Sequence, residues 1–284
     1  MTLVSVVMAA YQARDTICGT VDSLRAQSYA RWELVIASDD GSDYLGFLAE
    51  KGRRDPRIGQ VLTDSAASGP AAARNKALKV AQGELVTALD ADDRWLPHRL
   101  EILLGPAQNC GAACDAVAAV SANGQLLHLA FDEATAGQAA RTPDAAAKLI
   151  MDCGVPLHPL VARAHLGAGW RAELVFAEDV IFNLEVLSRA GNYALVTDSL
   201  THYVARPESL CNRPGAWRTA DAAYDQILQA LERGDYDLSP DIRRIAERAI
   251  REKRALNQAY GRAVAAGQCQ SFQEFLTENV GQSD

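Results

Sequence analysis

Residues 83–93 read GELVTALDADD, an apolar run that ends abruptly in three aspartates. A glycine stops the helical pattern before this run, so Glu84–Leu89 is predicted to be a strand buried within a sheet. Carboxylates that lie this close together repel each other unless a positive charge sits between them. Asp90, Asp92 and Asp93 therefore favour a bound divalent cation at the end of this strand, although a capped turn would use the same residue type.

The first hundred residues repeat one alternation of strand and helix. The predicted elements follow each other in the order Leu3–Met8, Asp15–Ala26, Trp32–Ala37, Tyr44–Arg54, Ile58–Leu62, Pro70–Ala81 and Glu84–Leu89. This spacing is typical of an α/β fold with a doubly wound, mostly parallel sheet, in which ligands bind beyond the carboxyl ends of strands. Two of those ends carry acidic clusters, Asp39-Asp40 and Asp90–Asp93, and we expect both to share one cleft with Arg74.

The alternation stops beyond residue 105. Asp115–Phe131 is predicted to form two short strands joined by Asn123-Gly124, a dipeptide typical of tight hairpins. Helices are predicted over Thr142–Cys153 and Asp179–Ala190, and the sequence from Pro214 onward is helical and alanine-rich. A mixed region and a helical extension are therefore expected to follow the parallel sheet.

The composition is that of an ordinary soluble globular protein. The chain has 284 residues, of which 49% are hydrophobic and 23% charged, and its net charge is −8. An acidic chain is not expected to bind nucleic acid, which generally requires a basic surface. The apolar start has no basic residue before it, so we predict a buried strand rather than a signal peptide. Six cysteines without a CxxC pair favour a reducing cytoplasm.

One segment of the helical extension is basic. Asp241–Arg262 holds seven basic residues against three acidic ones, with an apolar stripe along one side. Such a helix either lies on an anionic membrane surface or packs on the protein with a solvated face, where pairs such as Arg243–Glu247 add stability. We favour the packed helix, because charge patterning alone is a weak indicator of membrane binding. Weak association with the inner face of a membrane therefore stays open.

The motifs of residues 3–212 occur in a characteristic order. They are Ser5–Tyr11, Asp39–Ser42, Gly69–Asn75, Gly83-Glu84, Leu89–Pro97, Ala177–Asp179 and His202–Leu210. In this order and spacing they resemble family 2 of the inverting glycosyltransferases. Neither GxGxxG nor GxxxxGK[ST] is present, which removes the main support for a dinucleotide-binding or P-loop protein.

The resemblance implies a GT-A fold in three parts. Residues 1–105 would form the nucleotide-sugar-binding half, 106–213 the acceptor-binding and catalytic half, and 214–284 a C-terminal helical extension. The implied reaction moves a sugar from a nucleotide-diphospho-sugar, with UDP ahead of GDP or dTDP, to a hydroxyl of a saccharide or lipid-linked acceptor. A divalent metal, manganese or magnesium, is the implied cofactor, and bacterial surface polysaccharide or glycoconjugate synthesis is the associated pathway. Whether the chain forms homo-oligomers stays open.

The resemblance also implies roles residue by residue. The donor-binding positions are Ala9, Tyr11, Asp39, Asp40, Arg74, Asp90, His202 and Arg206. Asp92, assisted by Asp93, would bind the metal, and Asp179 of the acidic pair Glu178-Asp179 would be the general base. For Glu178, an acid that stabilises a helix N-terminus is an equally good interpretation. The remaining histidines, His98, His128, His158 and His165, are interpreted as surface or packing residues.

Three other classes of protein share part of this pattern. A phosphatase of the haloacid-dehalogenase type also uses Asp-x-Asp, but at the end of its first strand rather than its fourth. A nucleotidyltransferase would carry a glycine-rich, lysine-bearing loop after the first strand, which Ala9–Asp15 lacks. A non-catalytic sugar-nucleotide-binding subunit of the same fold would bind donor without transferring the sugar.

Overall fold

The computed structural model describes residues 1–206, 215–269, 272, 274 and 275. The strands are β1 (Val4–Ala10), β2 (Trp32–Ser38), β3 (Ile58–Leu62), β4 (Leu85–Ala88), β5 (Arg94–Trp95), β6 (Ala112–Val120), β7 (Leu126–Leu129), β8 (Leu160–Ala162) and β9 (Ala194–Val204). The helices are α1 (Ile17–Arg25), α2 (Tyr44–Glu50), α3 (Pro70–Leu78), α4 (Arg99–Cys110), α5 (Glu133–Ala139), α6 (Pro143–Asp152), α7 (Glu178–Ala190), α8 (Ala216–Arg233) and α9 (Pro240–Ala265). The predicted boundary between residues 213 and 214, and the end of the His202–Leu210 motif, lie outside the described residues.

One sheet contains all of these strands. Its order is β3-β2-β1-β4-β8-β6-β9-β5, with β7 paired to β6. The first four strands in this order are parallel to one another, as the alternating pattern predicted, whereas β8 pairs antiparallel with β4. Because the chain passes from β1 to β2 and β3 on one side and to β4 on the other, the switch point lies between β1 and β4. The carboxyl ends of β1, β2 and β4 therefore open on one crevice.

Side chains of the parallel strands alternate between two hydrophobic clusters. Val4, Val6 and Met8 of β1 pack in a cluster with α1, α2 and α4. Val7 of the same strand packs in the other cluster, with α3, α6, α7 and the C-terminal helices. Successive side chains of a strand point to opposite faces, so a continuously apolar strand is buried on both. This burial fixes the strand ends from which the acidic residues project.

The second half of the sheet is mixed. The predicted hairpin is confirmed, since β6 and β7 pair antiparallel around Asn123-Gly124, and Gly124 has the left-handed φ of 82° that such a turn requires. β9 was not predicted. It runs parallel to β6, and the pairing shifts register between Asp115 and Val117. The polar residues Thr197–Ser199 lie opposite this shift and interrupt the apolar pattern that would have indicated a strand.

A buried ion pair holds this irregular part of the sheet. Arg99 of α4 donates from Nε to Asp115 Oδ1 at 2.9 Å and to Thr201 Oγ1 at 2.8 Å. Asp115 also accepts from the backbone N–H of Leu200 at 3.2 Å. Both charges are buried, so each must be paired and hydrogen-bonded. The pair therefore satisfies backbone groups that the register shift leaves without a strand partner.

The C-terminal helices pack on the rest of the fold. α9 contacts α6 and α8 and buries Ile242 and Ile250 in the larger cluster. Arg254 of α9 forms ion pairs with Asp221 and Asp225 of α8. This arrangement agrees with the packed-helix interpretation of the basic segment. Within the part of the chain that the structure describes, no helix combines the length and apolar character needed to cross a bilayer.

Candidate active site

A cleft of about 1080 Å³ opens at the carboxyl ends of the parallel strands. The loop after β1, the starts of α3 and α7, the end of β9 and both C-terminal helices contribute to its lining. The predicted site residues that line it are Ala9, Tyr11, Asp39, Arg74, Asp90, Asp92, Glu178, Asp179 and Arg206. Small-molecule pockets usually measure about 300–1,000 Å³, so this cleft lies at the upper end of that range.

Left-handed backbone occurs at three non-glycine residues of the described chain, and all three line the cleft. Gln12, Ala67 and Ala177 have φ angles of 51°, 55° and 60°. Such conformations cost on the order of 1–3 kcal/mol each and persist where surrounding contacts hold them. Asp40 supplies one such contact, because it accepts from the backbone N–H of Gln12 at 2.7 Å and from the Tyr44 hydroxyl at 2.9 Å.

Asp40 supports the loop after β1 through a hydrogen bond and does not line the cleft itself. Burial would raise the pKa of its carboxyl, but hydrogen bonds from the backbone N–H groups of Ser42 and Gln12 and from the Tyr44 hydroxyl outweigh burial and lower the pKa to about 2. Asp40 was predicted to contact the donor, yet it is not among the residues that line the cleft. In this structure it shapes the loop that carries Tyr11.

Asp39 fixes the start of α3. It accepts from the backbone N–H groups of Ser68 and Gly69 at 3.0 and 2.9 Å. Gly69 caps this helix with a φ of 92°, a conformation in which a side chain would be strained. The loop before α3 is therefore held against the end of β2, and Arg74 enters the cleft one turn later.

Arg74 joins acidic residues of two elements. Its Nη2 donates to Asp90 Oδ1 at 2.6 Å and its Nη1 to Glu178 Oε1 at 3.0 Å. The side chain is 4% exposed. Burial would lower the pKa of its guanidinium, but the charges of Asp90 and Glu178 raise the pKa above its ordinary value. Arg74 therefore sets the separation between the end of β4 and the start of α7.

Asn75, the next residue of the same motif, ties α3 to the segment before α7. Its Nδ2 donates to the backbone oxygen of Trp170 at 2.6 Å, and its Oδ1 accepts from the Trp170 N–H at 2.9 Å. The Trp170 ring stacks on Phe182 of α7 with centroids 4.2 Å apart. The Arg74-Asn75 motif therefore positions α7 through both a buried ion pair and a backbone contact.

His158 is a site residue that sequence reasoning missed. Its ring is buried, and its Nε2 lies 3.1 Å from Asp90 Oδ2. Burial would raise the pKa of Asp90, but the charges of Arg74 and His158 hold that pKa well below its usual range. No local motif marks this histidine, because the contact arises where the segment before β8 runs beside β4, and the Thr87 hydroxyl donates to the His158 backbone oxygen at 3.1 Å.

Asp92 is the described carboxylate best placed to hold a divalent cation. It lines the cleft with 42% of its side chain exposed, and Arg206 Nε lies 3.5 Å from its Oδ2. Burial and the charge of Asp90 raise the pKa of Asp92, so a nearby cation would be favourable. No cluster of three or more His, Cys, Asp or Glu side chains suited to a metal occurs in the described residues. Asp92 therefore fits a magnesium or manganese ion whose remaining ligands are phosphate oxygens and water.

Asp93 and His202 lie outside the cleft lining. Asp93 is buried, and its Oδ1 accepts from the backbone N–H of Val204 at 3.0 Å. Burial and the charges of Asp90 and Asp92 raise its pKa well above the ordinary value. His202 belongs to β9, where it pairs with Arg94 of β5. The residue predicted as a second metal ligand thus anchors the end of β9 in this structure.

Asp179 lies in the first turn of α7 and lines the cleft. Burial and the charge of Glu178 raise its pKa to about 6, against the opposing charges of His158 and Arg74. A carboxylate with this pKa is a stronger base than an ordinary aspartate and is still mostly ionised at pH 7. Because Glu178 is bound by Arg74, the acidic pair separates into one structural residue and one carboxylate available to a ligand.

Arg74→Met is expected to lower the free energy of unfolding by about 3 kcal/mol, because the substitution leaves Glu178, which is nearly buried, and the partly buried Asp90 without their shared cation. Urea denaturation followed by circular dichroism measures this loss. The control is Arg244→Met, which removes an exposed ion pair with Asp241 and should cost less than about 1 kcal/mol. Equal losses in the two variants would show that the buried bridge does not stabilise the fold.

Comparison with known proteins identifies the family. The family model described as "Glycosyl transferase family 2" matches residues 5–150. The chain therefore belongs to glycosyl transferase family 2, and its curled sheet with C-terminal helices is a GT-A fold.

Two curated relatives illustrate the range of similarity. The UDP-Glc:alpha-D-GlcNAc-diphosphoundecaprenol beta-1,3-glucosyltransferase WfgD of Escherichia coli is 43% identical over 100 residues, which are 35% of this chain and 39% of that protein. The chain thus spans about two fifths of that relative. The succinoglycan biosynthesis protein ExoU of Rhizobium meliloti (strain 1021) is 29% identical over 92% of this chain and 82% of that protein.

Solved structures resemble the fold at lower sequence identity. S. aureus TarS 1-349 superposes with a TM-score of 0.64 and 20% identity, covering 88% of this chain and 70% of that one. The mannosyltransferase PcManGT from Pyrobaculum calidifontis, solved with GDP-Man and Mn²⁺, superposes with a TM-score of 0.58 and 15% identity, covering 98% of this chain and 79% of that one. At these identities the likeness concerns the fold alone.

Proposed function

We propose that this protein is an inverting glycosyltransferase that moves a sugar from a nucleotide-diphospho-sugar to a hydroxyl group of a saccharide or lipid-linked acceptor. The observation that carries the proposal is a single cleft lined by Asp39, Arg74, Asp90, Asp92 and Asp179. Membership of glycosyl transferase family 2 supports the reaction class. The name of WfgD, with its UDP-glucose donor and diphosphoundecaprenol-linked acceptor, supports a UDP-sugar and a lipid-linked acceptor. Relatives named for teichuronic acid and succinoglycan synthesis support a role in bacterial surface polysaccharides.

Binding of the donor is assigned to the end of the cleft formed by β1, β2 and β4. Tyr11, on the loop that Asp40 supports, and Asp39 would contact the nucleobase. Asp90, held by Arg74 and His158, would accept hydrogen bonds from the ribose or sugar hydroxyls. These carboxylates are held by protein donors before the ligand arrives, so binding needs little reorganisation.

Departure of the nucleoside diphosphate requires positive charge, because negative charge develops on the leaving group. Arg206 lines the cleft beside Asp92 and would supply part of it. A divalent cation held by Asp92, when bound, neutralises further charge on the diphosphate oxygens. PcManGT with Mn²⁺ supports assigning a metal to this fold.

Attack on the anomeric carbon requires an acceptor hydroxyl to lose its proton. Asp179 would accept this proton as the oxygen–carbon bond forms and the bond to the diphosphate breaks. The hydroxyl attacks from the face opposite the leaving group, so the configuration at the anomeric carbon inverts. The proton on Asp179 then passes to solvent after product release.

A thermal-denaturation panel of UDP-, GDP- and dTDP-sugars, with manganese or with EDTA, tests the proposed donor. A ligand present at 100 times its dissociation constant should raise the free energy of unfolding by about 2.7 kcal/mol. We expect the largest increase for a UDP-sugar with manganese and a smaller one with EDTA. The proposal is wrong if no nucleotide-sugar shifts the transition, and binding without transfer to any tested acceptor would instead favour a non-catalytic subunit.

A further inference from the structure

Among the described residues, three cations line the cleft: Arg74, Arg206 and Lys253. Arg74 is paired with Asp90 and Glu178, and Arg206 lies beside Asp92. Lys253 makes no ion pair with a carboxylate of the described chain, although its neighbour Arg254 pairs twice with α8. An ammonium group that faces a cleft without a counter-ion offers three charge-assisted donors to an anionic ligand.

Lys253 belongs to α9, whereas the carboxylates of the donor end follow β2 and β4. It is half-buried and follows Ile250 by one turn of α9, the helix that packs on α6. The buried Cys153 thiol just after α6 is influenced by Lys253 and by the proposed base, Asp179. Burial and the charge of Asp179 together raise the pKa of this thiol to about 11, against the opposing charge of Lys253. Cys153, Asp179 and Lys253 all line the cleft.

The surface near Lys253 is mainly apolar. The apolar and aromatic cleft residues contributed by α6, the segments that follow it and α8 include Ile150, Met151, Val155, Val175, Phe176 and Tyr224. Val175 is 57% exposed, so this wall is open to a ligand. The proposed function already assigns Arg206 and a cation held by Asp92 to the diphosphate of the donor. An anionic group that Lys253 binds would therefore belong to the other substrate.

We propose that Lys253 binds a phosphate group of the acceptor, which would make the acceptor a phosphorylated or diphosphate-linked saccharide. This inference rests on the proposed glycosyltransferase function and assigns the C-terminal helices a role in acceptor selection. The apolar wall lowers the local dielectric constant, which strengthens the attraction between the ammonium and the phosphate oxygens. A neutral saccharide gains nothing from Lys253, so the residue discriminates between the two acceptor classes.

The test measures binding of N-acetylglucosamine 1-phosphate and of its neutral methyl glycoside by calorimetry. Saturating UDP and Mg²⁺ are present so that neither probe occupies the donor end. The wild-type protein should bind the phosphate about 10-fold more tightly, which corresponds to about 1.4 kcal/mol. Lys253→Gln should remove this preference while UDP affinity stays unchanged. The matched control, Lys148→Gln, changes an exposed lysine of α6 outside the cleft lining and should keep the preference.

A lipid-linked probe separates the two sources of an acceptor phosphate. Tighter binding of a farnesyl-diphosphate-linked N-acetylglucosamine than of the 1-phosphate, lost in Lys253→Gln, supports the phosphate contact and places the lipid on the apolar wall. Equal binding of these two probes, again lost in the variant, supports the contact with a soluble sugar phosphate. The inference is overturned if wild type shows no preference for phosphate, or if Lys253→Gln retains it. If UDP does not bind, the comparison uses the nucleoside diphosphate that the thermal panel identifies. Failure of UDP, GDP and dTDP alike contradicts the proposed function instead, and the two acceptor probes are then compared without nucleotide.

Discussion

Asp179→Asn will lower kcat by about 10²- to 10⁴-fold and leave the affinity for the UDP-sugar nearly unchanged. The amide keeps the shape of the side chain but cannot accept the proton that the acceptor hydroxyl loses. The donor is assigned to residues that do not contact this carboxylate, so its binding should survive. Steady-state transfer and equilibrium binding of the donor, measured on the same preparation, separate the two effects.

The control for this variant is Asp144→Asn, which changes an exposed aspartate in the first turn of α6 away from the cleft. It should retain full turnover, since a helix N-terminal carboxylate at the surface contributes only a local interaction with the helix dipole. Full activity of Asp179→Asn would contradict its role as the base. A loss of donor affinity as large as the loss of kcat would instead assign Asp179 to donor binding.

The pH dependence provides a second measure of the same assignment. Burial and the neighbouring Glu178 raise the pKa of Asp179 to about 6, and a base works only when deprotonated. As pH falls through about 6 the carboxylate gains a proton, so kcat/KM should decrease about tenfold for each further unit and level off above pH 7. The residual activity of Asp179→Asn should lack this decrease. A wild-type profile that is flat from pH 5 to 8 would exclude a base with this pKa.

Asp92→Asn will lower kcat/KM by about 10³-fold and remove the difference in donor affinity between manganese and EDTA. Lewis-acid stabilisation of a developing phosphate charge is worth several kcal/mol, and Asp92 is the cleft carboxylate to which we assign the metal. An amide oxygen carries no net charge, so it holds a hard divalent cation far more weakly. Isothermal titration of the UDP-sugar, once with manganese and once with EDTA, measures this difference in donor affinity.

Asp93→Asn is the matched control for the metal assignment. Asp92 and Asp93 are adjacent in sequence, but only Asp92 lines the cleft. Asp93 is buried with a raised pKa, and an asparagine oxygen can still accept from the Val204 N–H. This variant should keep its response to manganese and EDTA. If Asp93→Asn loses the metal response while Asp92→Asn keeps it, the assignment of the two residues must be reversed.

The arrangement of the donor end could be predicted from the sequence because its determinants are local. Apolar runs such as Leu3–Met8 and Trp32–Ala37 can be buried on both faces only within a covered parallel sheet. The carboxyl ends of parallel strands lie at the same edge of a sheet. The predicted strands therefore place Asp39 and the aspartates after β4 at one edge. The motif Arg74-Asn75 follows a glycine and a proline that begin α3, which places it on the same edge.

The second half of the site depended on contacts that no local pattern encodes. The buried Arg99–Asp115 pair satisfies the backbone of β9 where its register shifts, because Asp115 accepts from the N–H of Leu200, 85 residues further along the chain. His158 reaches Asp90 only because the segment before β8 lies beside β4. Lys253 lines the cleft because α9 packs on α6. The apolar face of α9, and not its charges, determines this packing.

The sequence by itself determined the parallel sheet and the edge at which its acidic residues gather, because periodicity is a property of neighbouring residues. The family resemblance came from the order and spacing of the motifs. Only the tertiary structure decided which aspartate faces the ligand. Asp92 and Asp93 have the same side chain and adjacent positions. Asp92 nevertheless lines the cleft, whereas Asp93 accepts a hydrogen bond from the backbone of β9. The physical reason is that a carboxylate's role follows from the donors that surround it, and those donors are brought together by long-range packing.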